Sequence, residues 1–375
     1  MEKVYFYDGF LWGGIFDSYQ IEKMNDRTNW DEWQKKGKIK DGTTLKIIEK
    51  FQKNLFSETF EISKNIGLNS LMFSIEWAKI YPEMGYINRA KLESYKNFIL
   101  SLKKEGIEIF LILNHFTFPI WFEEKGGFQN DENLKFLISY TEEIVNEFKD
   151  IVDYYIPFYE PLKYIDYAYK KGLYPPGISD EKISEIVKEN IIKVYKELYL
   201  LIHKNNIYSK VGIIKNTNYD NTFFNVLKNY MDFLGITFYD DKTSGLPRTV
   251  QKDDIGNNIY PEKLNIEIPE LKKYDKPIVI SSIGIADESD IYRSQFLIKT
   301  ISYIHELLNN NIKIMGYFHK NIFDLFEWEE GFSAEYGLFE FDSINNRINP
   351  RHSAKVFSNI VQSNKIPPHL IKYTQ

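Results

Sequence analysis

Two stretches of the chain carry residues whose chemistry would matter if the fold brings them together. Glu160 ends an aromatic run, Tyr154-Tyr155-Ile156-Pro157-Phe158-Tyr159. A carboxyl in such surroundings loses hydration, which raises its pKa toward the range of a general acid. The bland alternative is a glutamate tied into hydrogen bonds. The second stretch runs from Lys276 to Asp287, an apolar β-type run that breaks into Gly284, where a strand opens onto a loop. Ser282 stands just before that break. As a nucleophile it would need a base, and no histidine stands near it in sequence. Metal chemistry finds no support, because the chain has no Cys and its six His show no paired ligand spacing such as H-E-x-x-H.

Positioning such groups takes a large fold. The 375 residues suffice for a sizeable core, and 43% hydrophobic with 27% charged residues is ordinary for a soluble globular chain. The 16% aromatic share is high and suits a carbohydrate site, although filling a large core accounts for most of those rings. Charges are interspersed with a net of −6, so nucleic acid is not an expected partner. The first residues lack an apolar signal segment, and no run of 18 apolar residues occurs. The expectation is a cytoplasmic protein with no membrane partner. Its Lys-, Ile- and Glu-rich composition without cysteine hints at a thermophile.

Strand and helix patterns alternate from end to end, which predicts a parallel sheet with crossover helices. Eight strand patterns are legible, over 10–15, 70–75, 108–113, 154–159, 210–214, 233–238, 277–281 and 313–318. Amphipathic helices are expected over 45–65, 89–104, 132–148, 184–203 and 291–308, with 354–362 closing the barrel. No linker or repeat interrupts the order, so the expected fold is α/β, a single (β/α)8 barrel domain over residues 1–375. Long loops follow the strands, on the barrel face where active sites are built.

Taken together, several segments resemble glycoside hydrolase family 1, the β-glucosidase and β-galactosidase family, across nearly the whole chain. Phe10-Leu11-Trp12-Gly13 and Ser18-Tyr19-Gln20-Ile21-Glu22 are similar to F-L-W-G and S-Y-Q-I-E-G. Phe73-Ser74-Ile75-Glu76-Trp77 resembles F-S-I-S-W, and Leu113-Asn114-His115-Phe116-Thr117-Phe118-Pro119 resembles L-Y-H-W-D-L-P. Phe158-Tyr159-Glu160-Pro161 is similar to F-N-E-P, which carries the acid/base glutamate, and Asp232 to Tyr239 resembles D-F-L-G-I-N-Y-Y. Asp324-Leu325-Phe326-Glu327-Trp328 resembles the family's last sugar-binding loop, and 276–287 the strand I-T-E-N-G-I-A-D that bears the nucleophilic glutamate.

The resemblance implies Glu160 as acid/base, Tyr239 facing the reaction centre, and Gln20, His115, Glu327 and Trp328 gripping the sugar ring. Amide, imidazole and carboxylate suit vicinal hydroxyls, and indole offers an apolar face. The departures gather around the anomeric carbon. Ser282 stands at the nucleophile's position, Ile283 at the asparagine after it, Met72 at the arginine that pairs with it, Tyr159 at the asparagine before the acid/base, and Lys320 at the tryptophan of W-S-L. Removing the glutamate and its arginine together avoids a stranded buried charge, so the pattern reads as divergence. Glu76, where the family has serine, and Lys320 are expected at the barrel mouth. Glu76 is there a candidate base for inversion, and Lys320 a group that weakens a nearby acid or binds an anionic substituent.

Losing a covalent nucleophile costs on the order of 10⁴–10⁶ in rate. The functional expectation is a β-glycosidase-like protein that acts on or binds a β-glycoside, with ordinary retaining hydrolysis weak or absent and no cofactor or metal. Its alternatives are a sugar-binding pseudoenzyme, or glycosyl transfer or inverting hydrolysis with Glu160 as acid/base. The partner is a small carbohydrate, with Gln20, His115, Tyr159, Lys320, Glu327 and Trp328 as its contacts.

Overall fold

The computed structural model describes residues 4–22, 24, 27–238, 250–342, 344–345 and 347–373. Eight parallel strands close into a barrel, each paired with its sequence neighbour and the first with the last. They are β1 (Leu11–Phe16), β2 (Ser70–Ser74), β3 (Glu108–Ile112), β4 (Tyr154–Ile156), β5 (Lys210–Asn216), β6 (Phe233–Phe238), β7 (Ile278–Ile283) and β8 (Ile314–His319). The main outer helices are α1 (Leu55–Ile66), α2 (Arg89–Lys104), α3 (Leu134–Phe148), α4 (Glu181–Asn205), α5 (Arg293–Asn309) and α6 (His352–Ser363).

Both faces of each strand are covered, so the strands read as continuous apolar runs rather than alternating ones. Within those runs successive side chains still part company. Leu71 and Phe73 join the layer under the helices, while Met72 joins the barrel interior with Leu11, Phe110, Ile112, Val279 and Phe318. The interior floor is aromatic: Phe110 stacks on Tyr154 at 3.9 Å between centroids, with Phe318 edge-on at 4.9 Å. Helix α2 illustrates the outer layer. Asn88 caps it by accepting from the Lys91 N–H, and Leu92, Tyr95, Ile99 and Leu102 form its buried stripe. Burying each such side chain contributes roughly 1.5–3 kcal/mol.

Differences from the sequence expectation have local causes. The strand expected over 154–159 stops at Ile156 because Pro157 offers no N–H to the ladder. The helix expected over 45–65 is broken before α1 at Asn54, whose backbone leaves the helical region at the N-cap. Strand β7 runs past the expected 281 to Ile283, with a register shift. Ile236 pairs with Ile280, but Thr237 pairs with Ser282, so Ser281 is the extra residue of a β-bulge. The bulge resets the alternation, placing Ser282 on the cavity side with Ile283 in the outer layer. Bulges commonly re-aim side chains beside functional sites.

Glu76 is not at the mouth. Its side chain turns back to cap the short helix Trp77–Ile80, accepting from the Ala78 N–H, and Thr117 Oγ1 donates to its other oxygen at 2.9 Å. It is 1% exposed and lines neither cavity described below, so it is unsuited to act as a base for inversion. Burial, then the charge of Asp17, pushes its carboxyl up to about 8. The folded state therefore holds a proton that the unfolded state releases near 4.5, and stability falls as pH rises from 4.5 to about 8. Glu76→Gln should remove up to about 5 kcal/mol of that loss and make the protein more stable than wild type above pH 8. Denaturant melts of both proteins between pH 5 and 9 check this; parallel curves would refute it.

Candidate functional site

The C-terminal ends of the strands surround two connected cavities. The inner one, about 40 Å³, is lined by Gln20, His115, Tyr159, Glu160, Ser282, Lys320, Glu327 and Trp328, together with Ile15, Phe16, Asp17, Phe116, Lys163 and Asn321. The outer one, about 400 Å³, shares Lys163, Lys320, Glu327 and Trp328 with it, so these four form the neck between them. Every site residue read from the sequence except Glu76 and Tyr239 therefore reaches the inner cavity. Tyr239 lies outside the described residues.

Glu160 is placed by the chain's exit from β4. Pro157 ends the strand, Pro161 begins the next helix, and between them Glu160 sits at φ 45°, ψ 54°, a left-handed conformation unusual for a glutamate. Its Oε1 accepts from Asn216 Nδ2 at 3.0 Å and from Thr237 Oγ1, and its Oε2 lies 4.0 Å from Lys163 Nζ. Asn216 ends β5 and Thr237 is the next-to-last residue of β6, so adjacent strands hold one carboxyl oxygen and leave the other toward the neck. Phe116, Asn321 and Trp328 also have positive φ, so half of the eight non-glycine residues in that region among the described residues line this one cavity. Each such backbone costs on the order of 1–3 kcal/mol and persists only where its surroundings over-determine it.

Across from Glu160, Gln20 Nε2 donates to the Phe326 carbonyl at 2.6 Å, which fixes its amide. His115 Nδ1 lies 2.9 Å from Asp17 Oδ2, and the same oxygen accepts from Ser74 Oγ at 2.6 Å. Trp328 packs against His115, Phe116, Trp30 and Tyr19, with centroids 4.9–6.0 Å apart. Tyr159 packs on His115 at 4.3 Å and on the apolar barrel interior below. Met72 is buried in that same interior cluster, so the floor beneath the cavity is apolar where the resemblance implied an arginine.

Lys320 does not reach for Glu160 first. Its Nζ lies 2.8 Å from Glu327 Oε2 and 3.5 Å from the centroid of the Tyr336 ring. Burial works against both neck ammonium groups, yet Glu327 and Glu160 around Lys320, and Glu160 and Glu329 around Lys163, hold their pKa values above the usual lysine range. Asn321 Nδ2 donates to the other Glu327 oxygen.

Sequence reading missed Asp17, Lys163, Asn216, Thr237 and Asn321. For two of these a signal was present. Lys163 follows Glu160 by three residues across the first turn of a helix, a spacing that brings side chains together. Thr237 stands at the asparagine of the D-F-L-G-I-N-Y-Y resemblance. Asn216 gave none, because its segment matched no motif.

The glycosyl hydrolase family 1 model matches residues 2–232 and 237–366. A β-galactosidase of Pyrococcus woesei is 24% identical, covering 96% of this chain and 98% of its own. β-Glucosidase A of Acetivibrio thermocellus is 25% identical, over 97% of this chain and all of its own. Among solved structures, a β-glycosidase from Pyrococcus horikoshii superposes with a TM-score of 0.90 at 26% identity, covering 100% of this chain and 99% of that one. With its closed eight-stranded barrel and a family match over nearly its whole length, the chain belongs to glycosyl hydrolase family 1.

Proposed function

We propose that this barrel, working as one unit over residues 1–375, recognises a β-glycoside and has lost ordinary retaining hydrolysis. Gln20, His115, Glu327 and Trp328 are its sugar contacts, with Tyr159 and Tyr239 beside the former reaction centre. The observation that carries this reading is how the cavity's carboxylates are engaged. Among the described residues three line it: Asp17 is held by Tyr19 and Ser74, Glu327 by Lys320 and Asn321, and Glu160 by Asn216 and Thr237. A retaining glycosidase needs two carboxyl groups about 5–5.5 Å apart, one of them free to attack the anomeric carbon. Ser282 offers a hydroxyl at the position implied for that nucleophile.

Inversion needs a carboxylate base on the far side of the ring, and Glu76 does not reach the cavity. A second reading rests on Glu160. A carboxyl gripped by two strand ends on a strained backbone suits a retained acid/base, which would protonate the departing aglycone oxygen as an external nucleophile bonds to the anomeric carbon.

One experiment separates these readings. Aryl β-glucosides and β-galactosides are incubated with the protein, with and without azide or formate, and calorimetry follows binding of the intact glycosides. Binding is expected without release, and Gln20→Ala should weaken it about tenfold by removing one hydrogen-bonding side chain. Azide-dependent release that Glu160→Gln abolishes would favour the second reading and overturn the first.

Restoring the nucleophile alone should fail. Ser282→Glu places a carboxylate above an apolar floor and should cost about 3–5 kcal/mol of stability as an unpaired buried charge. Adding Met72→Arg should recover part of that loss and give the larger gain in turnover, as measured by thermal melts and aryl glycoside release. A single variant as stable and active as the double would contradict the assignment.

A further inference from the structure

We propose that Lys320 determines specificity by occupying the inner cavity, so that a sugar ring reaches Gln20 and His115 only by displacing its ammonium, and a neutral saccharide larger than one ring, with its further units in the outer cavity, binds more tightly than a single ring. This rests on the carbohydrate reading above. The inner cavity, about 40 Å³, has room for about three waters. Ordinary small-molecule sites enclose about 300–1,000 Å³. The outer cavity, about 400 Å³, falls within that range.

The closure is built from several contacts. Both oxygens of Glu327 are engaged, one by Lys320 Nζ at 2.8 Å and the other by Asn321, so vicinal hydroxyls reach them only by displacing those donors. The lysine is seated on the Tyr336 ring at 3.5 Å. Gly284 leaves room for that seat: a Cβ there would meet Lys320 Cβ at 3.0 Å and Tyr336 Cδ1 at 3.6 Å. The ammonium thus stands in the neck as a tethered occupant of the inner site.

The outer cavity suits a neutral polyol. Its rings (Tyr167, Tyr219, Trp328) and amides (Asn216, Asn218, Asn257) provide stacking faces and hydrogen bonds. Its flanking lysines are already paired, Lys171 with Asp166 at 2.7 Å and Lys40 with Glu330. An anionic ligand would have to compete with those carboxylates.

The test is calorimetric titration with methyl β-glucoside, methyl β-galactoside, cellobiose and lactose, using wild type, Lys320→Ala and Tyr336→Leu, with thermal melts to confirm folding. Wild type is expected to bind a disaccharide at least tenfold more tightly than either methyl glycoside. Lys320→Ala should raise affinity for a methyl glycoside at least tenfold, and Tyr336→Leu should give a smaller gain in the same direction. Unchanged or weaker methyl glycoside binding in a folded Lys320→Ala protein overturns the proposal. If that variant does not fold, Tyr336→Leu decides by the same criterion. Binding of no saccharide by any of the three proteins would instead overturn the carbohydrate reading, and this inference with it.

Discussion

Buried charge must be paired, and that requirement organises the mouth of the barrel. Taking an ammonium and a carboxylate out of water costs several kcal/mol each, recovered only when each finds an opposite charge in good geometry. Lys320 and Lys163 meet the condition through Glu327, Glu160 and Glu329. Each pair therefore constrains the next. Moving Lys320 strips Glu327 of its charged partner, and moving Lys163 leaves Glu160 with only neutral donors among its hydrogen bonds. The neck behaves as one electrostatic unit, and the narrow inner cavity is its geometric result.

Below the neck the opposite solution holds. Met72, Phe110, Ile156, Tyr159, Val279 and Phe318 fill the barrel interior without charge. An apolar floor under a charged neck is consistent with joint loss of a buried carboxylate and its cation, since losing either alone would leave an uncompensated charge. Yet the backbone still supports a site, with strained residues at 116, 160, 321 and 328 around the cavity. Those conformations depend on loop packing more than on the chemistry of the residues that now occupy them.

The barrel was legible in the sequence because its evidence is periodic and repeated. Eight apolar runs separated by amphipathic stretches leave few other topologies, and the helix over 89–104 matched to the residue. Boundaries slipped where one residue decides them, as at Pro157 and Asn54. Much of the site's membership was legible through motifs, but partnership was not. Glu76 was expected at the barrel mouth as a candidate base, whereas its side chain folds back onto its own helix. Lys320 was expected to weaken a nearby acid or bind an anionic substituent, and it pairs with Glu327. Spacing along the chain reports which residues arrive at a strand end; which of them meet depends on side-chain direction, which a linear pattern does not encode.

The bulge at Ser281 gives the cavity wall a counting rule. Downstream of it every side chain of β7 faces the way it does because one extra residue was admitted. Deleting Ser281 would remove the bulge and leave Ile280 and Ser282 on their present faces, because their partners Ile236 and Thr237 are already consecutive. Flattening the strand with Ser281 kept would instead set Ser281 opposite Thr237 and turn Ser282 outward and Ile283 inward. The identity of the wall thus depends on where the extra residue is accommodated as much as on which residues the strand contains.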